Sequence, residues 1–296
     1  MIRQLVIGLL FAMLWASAAV ATKFGIQAAD PLVLGNVRFL VAGGGMLLFA
    51  YLGQSAKHRL PQGKEWTQLL IFGGLNTTVY LGCFVMAMKY VSAGIGSLSV
   101  ATSPLFIMGI SAYWLKRSLK WYEIVGMLLG LLGVGIATWP LLQNSHATLG
   151  GIAILLFGML AVSVATVYYA RVEWQLSKLV INGWQVFLGG LLFIPITAIF
   201  ANFSETRLNT TFWLSVGWLI LPVSVVALQL WFYLVSKDAV RASLWLFLCP
   251  VFGFFYSWML MDEPVTGFTF AGTFLVIGGL YLAQKEKFRQ QTTLEK

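Results

Sequence analysis

Charge is what this chain of 296 residues is short of: 10% of its residues are Asp, Glu, Lys or Arg, where soluble globular proteins carry about a quarter. With 59% apolar residues and a mean hydropathy of +0.84, there is too little polar surface to wrap an apolar core, and a water-soluble globule is excluded. Cysteine is confined to Cys83 and Cys249, and histidine to His58 and His146. That is too few and too scattered for a metal cage or a disulfide framework, so no metal, cofactor or disulfide is expected. The two cysteines read as small apolar side chains. No HExxH, GxSxG or P-loop pattern occurs, so the residues for known hydrolytic or phosphoryl-transfer chemistry are missing and the chain reads as not an enzyme.

Carboxylates are missing where they would be most informative. All ten Asp and Glu residues fall in loops, tails or the first turn of an apolar run. An acid at membrane depth is the usual proton carrier of pumps and the usual partner of a cationic drug. Its absence argues against direct proton antiport of organic cations. Long loops are lacking too, the longest covering about residues 53 to 66, so no extramembrane domain is expected.

What is present is a series of apolar runs, each long enough to cross roughly 30 Å of hydrocarbon as a helix. They cover residues 4–22, 32–52, 67–88, 93–115, 122–139, 149–169, 180–201, 211–235, 240–261 and 267–284. The expected fold is an all-α membrane protein of ten transmembrane helices. The first run, with Arg3 before it and Ala16-Ser17-Ala18 at its end, has the outline of a signal peptide, but its match to residues 150–166 reads it as a retained helix.

The net charge of +9 does not point to nucleic acid once the cations are placed. Fifteen Lys and Arg fall on the side of the N-terminus, from Arg3 through Lys57, Arg59, Lys64, Lys116, Arg117, Lys120, Arg171, Lys178, Lys237 and Arg241 to the C-terminal tail. Lys23, Lys89 and Arg207 fall on the other side, and Arg38 lies inside a run. The positive-inside rule makes both termini cytoplasmic.

The chain also repeats itself at an offset of 146 residues. Phe11, Met13, Leu14, Ser17 and Ala19 recur as Phe157, Met159, Leu160, Ser163 and Ala165, and Asn36, Gly43 and Gly44 as Asn182, Gly189 and Gly190. Ala93 and Ser97 recur as Ala239 and Ser243, Pro104 and Ser111 as Pro250 and Ser257, Gly126 and Gly133 as Gly272 and Gly279. Five runs per unit is an odd number, so the second copy is expected upside down in the bilayer. The basic Lys116-Arg117 corner, matched by the acidic Asp262-Glu263, agrees with that inversion. The expected organisation is one five-helix unit over 1–143, an inverted one over 147–289 and a polar cytoplasmic tail over 290–296, with helices one and six, and two and seven, facing each other across a cavity.

Arg38 is the one clear intramembrane charge. A guanidinium there either recognises a carboxylate from the cavity or pins neighbouring helices. Repeat symmetry adds Asn36 and Asn182, Trp184 and Gln185 (equivalent to Arg38 and Phe39), and a face of Asn76, Tyr80 and Cys83 at helical spacing, with Gln229 equivalent to Cys83. Trp15 and Trp245 lie deeper than the interfacial tryptophans and complete the expected substrate-binding set, against the alternative that any of these is helix-to-helix glue. Pro104 and Pro250, near the middle of spans four and nine, are expected to kink their helices as a matched gate, or as a static bend. The glycines of spans five and ten read as packing faces within a monomer.

In order and spacing, several motifs resemble the drug/metabolite transporter superfamily, specifically its EamA-type ten-helix branch. They are Leu14-Trp15-Ala16-Ser17, Asn36-Val37-Arg38-Phe39, Ala87-Met88-Lys89-Tyr90-Val91-Ser92-Ala93, Ser103-Pro104-Leu105-Phe106, Lys237-Asp238-Ala239 and Asp262-Glu263-Pro264. The resemblance covers about residues 5–284. It implies alternating access about a central cavity, in a bacterial inner membrane, and export or sometimes uptake of amino acids and other small metabolites. One departure is Lys116-Arg117, where the family commonly has Gly-Glu. The expected partners are a carboxylate-bearing or zwitterionic small molecule and membrane lipid, with no nucleic acid. The alternatives are an uptake carrier for a nucleoside, vitamin or sugar conjugate, and, in a different class, a membrane scaffold or intramembrane enzyme.

Overall fold

The structure is a computed structural model that describes residues 2–52, 58–116, 118–144, 148–262 and 266–294. Lys57, Arg117, His146, Glu263, Pro264 and Lys296 lie outside the described residues. Among those described there is helix and no strand. The composition accounts for this, because a chain immersed in hydrocarbon must satisfy every backbone N–H and C=O within its own segment.

In chain order the helices are α1 (Ile2–Gly25), α2 (Pro31–Leu52), α3 (Lys64–Ala87), α4 (Ala93–Val100), α5 (Ser103–Trp114) and α6 (Trp121–Asn144). After them come α7 (Leu149–Arg171), α8 (Lys178–Phe200), α9 (Thr210–Val235), α10 (Ala239–Met261) and α11 (Gly267–Leu294). Seven stretches are long and apolar enough to cross a membrane, namely α2, α3, α7, α8, α9, α10 and residues Arg3–Gly25 of α1. The apolar run expected as one span over 93–115 is two helices end to end, broken by a turn at Ala101 and Thr102. Helix α11 runs to Leu294, beyond the expected end of its apolar run at 284.

Local sequence sets the helix starts. Thr148, Ser177, Asn209 and Asp238 each place a side-chain oxygen on a backbone N–H of the adjoining first turn, those of Gly151, Val180, Phe212 and Arg241. Asp30 does the same for Leu32 at 2.9 Å. Such caps satisfy donors that an α-helix leaves orphaned at its N-terminus. The two non-glycine residues with positive φ among those described are Lys116 at 49° and Asp262 at 54°, 146 residues apart. Both turn the chain after a helix, at the corner where the resembling family commonly has glycine, which enters this left-handed conformation without steric cost.

Polar side chains such as Thr77, Asn182 and Gln185 are fully buried, while Phe49, Leu132 and Phe274 are exposed. This inside-out distribution suits lipid. Helix α2 packs along α8 and α6 along α11. Helix α1 packs on α9 and α10, and α7, its counterpart at offset 146, packs on α3 and α5. Each half therefore lends its first helix to the other half. Helices α2 and α8, expected on opposite sides of a cavity, are in direct contact: a Cβ on Gly43 would lie 2.5 Å from the Phe187 backbone nitrogen, and one on Gly190 3.0 Å from Phe39 Cβ. Glycine at these positions lets the two backbones close the gap.

Candidate functional site

Arg38 sits on α2 seven residues past Pro31, about 10 Å along the helix at 1.5 Å per residue. Its side chain is 1% exposed. Nε donates to Ser224 Oγ at 3.0 Å, and the guanidinium carbon lies 5.8 Å from the Phe39 ring centroid. Nη2 has no partner among the described residues. The guanidinium borders a small cavity shared with Trp15, Tyr80, Ser97, Val223 and Cys249. No carboxylate stands among the described lining residues, so nothing there neutralises the cation. Ser97 Oγ is likewise buried without a partner. The cavity's free volume of about 20 Å³ holds one water molecule. An organic solute reaches Arg38 only if the surrounding helices part.

From Ser224 a chain of hydrogen bonds runs across four helices. Ser224, on α9, accepts Arg38 Nε at its hydroxyl and Asn182 Nδ2 at its backbone carbonyl, the latter at 2.9 Å. Asn182 Oδ1 accepts from Gln185 Nε2 at 3.1 Å within α8. Gln185 Oε1 in turn accepts from Thr77 Oγ1 at 2.8 Å and Asn76 Nδ2 at 3.2 Å, both on α3. These residues are all buried, and a network in apolar surroundings holds its members firmly because a broken bond leaves a polar group stranded. The network links α2 and α3 to α8 and α9.

The spacing of the polar residues on α3 depends on an irregularity. Gly74–Leu81 on α3 and Leu219–Ala227 on α9 are wound as π-helix, and they coincide within one residue at offset 146. The wider π turn rotates the residues beyond it relative to a regular helix. Of Asn76, Tyr80 and Cys83, expected on one face, Tyr80 and Cys83 both border Gly158 on α7 while Asn76 turns to α8. Asn76 bonds Gln185, the Tyr80 ring stacks on Trp15 at 6.4 Å, and Cys83 Cβ faces Gly158 on α7.

The structure thus brings together Arg38, Trp15 and Tyr80 at the cavity, with Asn76, Asn182 and Gln185 in the network beside it. The other expected residues lie elsewhere. Asn36 bonds Thr197 Oγ1 at 3.2 Å and the Gly190 carbonyl at 3.5 Å, joining α2 to α8. Trp184 is half-buried, donates to Tyr51 Oη at 2.9 Å and meets the Trp66 ring edge-on at 4.7 Å. Gln229 donates to the Lys178 carbonyl at 3.2 Å. Trp245 packs its ring over Gly8 of α1. Pro104 opens a helix, whereas Pro250 lies near the middle of α10. Pro104 is in the first turn of α5, where a missing N–H costs nothing, and Pro250 comes after a 3₁₀ stretch, Leu244–Phe247, inside α10. The helix changes character just before each proline. Ser224 and Thr77 were not singled out by the sequence, where one more hydroxyl in an apolar run carries no signal of its own, and Ser97 stood out only as the repeat equivalent of Ser243.

Between the halves, Arg241 Nε approaches Glu123 Oε1 at 3.7 Å, and Glu123 is fully buried. Helices α6 and α11 meet through glycine: a Cβ on Gly133 would lie 2.5 Å from the Gly272 carbonyl oxygen, and one on Gly279 2.5 Å from that of Gly126. The two contacts exchange repeat-equivalent partners.

Comparison with known proteins identifies the family. The profile of the EamA-like transporter family matches twice, over residues 3–139 and 149–284, the second match starting 146 residues after the first. An uncharacterized transporter of Archaeoglobus fulgidus is 23% identical over 284 residues, covering 92% of this chain and 95% of its own. The uncharacterized inner membrane transporter YedA of Escherichia coli is 29% identical over 240 residues, covering 78% of this chain and 74% of its own. A crystal structure superposes with a TM-score of 0.76 at 20% identity, over 97% of this chain and 98% of that one, a likeness of fold. With both halves matched and nearly the whole length covered, this chain belongs to the EamA-like transporter family.

Proposed function

We propose that this transporter moves small carboxylate-bearing or zwitterionic solutes, amino acids or related metabolites, outward across a bacterial inner membrane by alternating access. In this reading ten spans form two inverted five-helix repeats, residues 1–143 and 147–289, with both termini and the tail over 290–296 cytoplasmic and the monomer as the working unit. The observation that carries it is Arg38, a buried guanidinium at a cavity, with one hydrogen bond, an unpartnered Nη2 and no carboxylate on the cavity wall. A structural pin would use its donors on protein acceptors, whereas a recognition residue keeps donors for the ligand. The inversion is supported by the exchanged Gly133 and Gly279 contacts, the paired π stretches and the paired left-handed corners.

The one-water cavity corresponds in this account to a closed arrangement. Trp15 and Tyr80 stack across it and would part to admit an amphipathic solute. The irregular segments before Pro104 and Pro250 and the π stretches of α3 and α9 supply joints whose hydrogen bonds are already non-standard. The test is a metabolite screen on purified and reconstituted protein, scoring thermal stabilisation and vesicle flux together. Hits confined to solutes with a carboxylate agree with the reading. Equal flux of cationic and neutral solutes with no carboxylate hit contradicts it.

A further inference from the structure

A second cavity opens at the end of the bundle where α1 turns into α2. Its free volume is about 520 Å³, and Gln27, Lys89, Ser204, Arg207 and Asn209 supply its polar lining. Lys89 and Arg207 are two of the three cations that the topology reading places outside, and both border this one cavity. Both are exposed, and neither side chain has a hydrogen-bond or ion-pair partner among the described residues. Among the described side chains, the nearby acid Asp30 does not neutralise them. Asp30 is buried, with Oδ1 accepting from the Leu32 N–H at 2.9 Å and Oδ2 from the Asn202 N–H at 3.2 Å. The loop wall is fixed independently, since the Arg207 N–H donates to the Ala28 carbonyl at 2.7 Å.

Two unneutralised cations facing one recess raise the local concentration of anions. The recess also borders Pro31, the first residue of the helix that carries Arg38. We infer that the Lys89–Arg207 recess is a second anion site, which holds the carboxylate of a solute at the mouth of the bundle before or after its encounter with Arg38. This deepens the carboxylate reading above and rests on it for the identity of the solute. The recess itself is defined by its own residues.

A cysteine placed at Gln27, in a Cys83→Ser, Cys249→Ser background, reports the local potential through two thiosulfonate reagents of similar size, one carrying a sulfonate and one a trimethylammonium group. The sulfonate reagent is expected to react faster, and Lys89→Gln with Arg207→Gln to lower the anion-to-cation rate ratio by about tenfold. Sodium citrate should slow the modification and mannitol should not, with the citrate effect lost in the double variant. Ser204→Cys serves as the second reporter should Gln27→Cys misfold. A ratio indifferent to the double substitution overturns the inference. So does citrate protection that vanishes when phosphatidylcholine vesicles are replaced by vesicles containing phosphatidylglycerol, since the recess would then belong to lipid headgroups. The readout needs no flux, so failure of this site is distinguishable from failure of the transport reading.

Discussion

The glycine contact between α6 and α11 gives a quantitative test of how the halves meet. Gly278 and Gly279 are neighbours in one helix, yet a Cβ on Gly278 would have nothing within 4 Å while one on Gly279 would lie 2.5 Å from the Gly126 carbonyl oxygen and 2.9 Å from the Gly130 nitrogen. Relieving the second contact to an ordinary separation of about 3.4 Å would require moving backbone by nearly an ångström, and overpacking of this kind costs about 1–3 kcal/mol. Against it stands the gain in helix propensity from Gly to Ala, about 0.8–1 kcal/mol, which acts alone at Gly278. Gly279→Ala should therefore destabilise and Gly278→Ala should be neutral or mildly stabilising. Gly133→Ala, whose Cβ would meet the Gly272 carbonyl oxygen at the same 2.5 Å, should match Gly279→Ala. Thermal unfolding of detergent-purified protein, followed by size-exclusion fluorescence, measures all three. Equal melting temperatures for Gly278→Ala and Gly279→Ala would refute the packing, and unequal losses for Gly133→Ala and Gly279→Ala would refute its symmetry.

Other consequences can be measured with the same preparation. Lys116→Gly should raise stability by about 1 kcal/mol, since a side chain in the left-handed region costs about 1–2 kcal/mol, and Asp262→Gly should raise it less because Asp tolerates that region better; thermal melts decide both. Gln185→Leu strands Asn76, Thr77 and Asn182 together and should cost about 2–4 kcal/mol in a chemical-denaturant titration, at about 1 kcal/mol or more for each partner left unmet; no loss would mean that the network does not form. A reporter fused after Lys296 should be cytoplasmic and one inserted within 142–148 external, and a C-terminal reporter found outside would end the ten-span topology.

Much of this molecule was legible because lipid imposes a simple rule. An apolar run of sufficient length becomes a helix, so the runs around α2, α7 and α8 were placed within a few residues. Arg38 stood out because a charge at depth has few explanations. What sequence position gives is depth, and what it withholds is the direction a side chain faces. Trp15 and Trp245 both lie well inside their runs, yet Trp15 borders the cavity and Trp245 packs over Gly8. Counting faces at 3.6 residues per turn kept Tyr80 and Cys83 together against Gly158 but not Asn76, which bonds Gln185 from within a π stretch. Ser224 was missed for a different reason: its importance comes from accepting Arg38 at its hydroxyl and Asn182 at its carbonyl, a coincidence of three helices that no single segment records. The break between α4 and α5 was half visible, since Pro104 marked the place but not that a new helix begins one residue before it.

The central claim is that the Arg38 guanidinium reads a carboxylate, and paired flux of an anionic solute and its neutral amide analogue into vesicles tests it most directly. Arg38→Lys keeps a charge but loses the planar fork that engages a carboxylate with two hydrogen bonds, and Arg38→Ala removes both. The account predicts that both variants fold, that Arg38→Lys slows the carboxylate, and that Arg38→Ala abolishes its flux while sparing the amide. Equal loss of both solutes, accompanied by a lowered melting temperature and poor yield, would contradict it and leave Arg38 as a pin between α2 and α9.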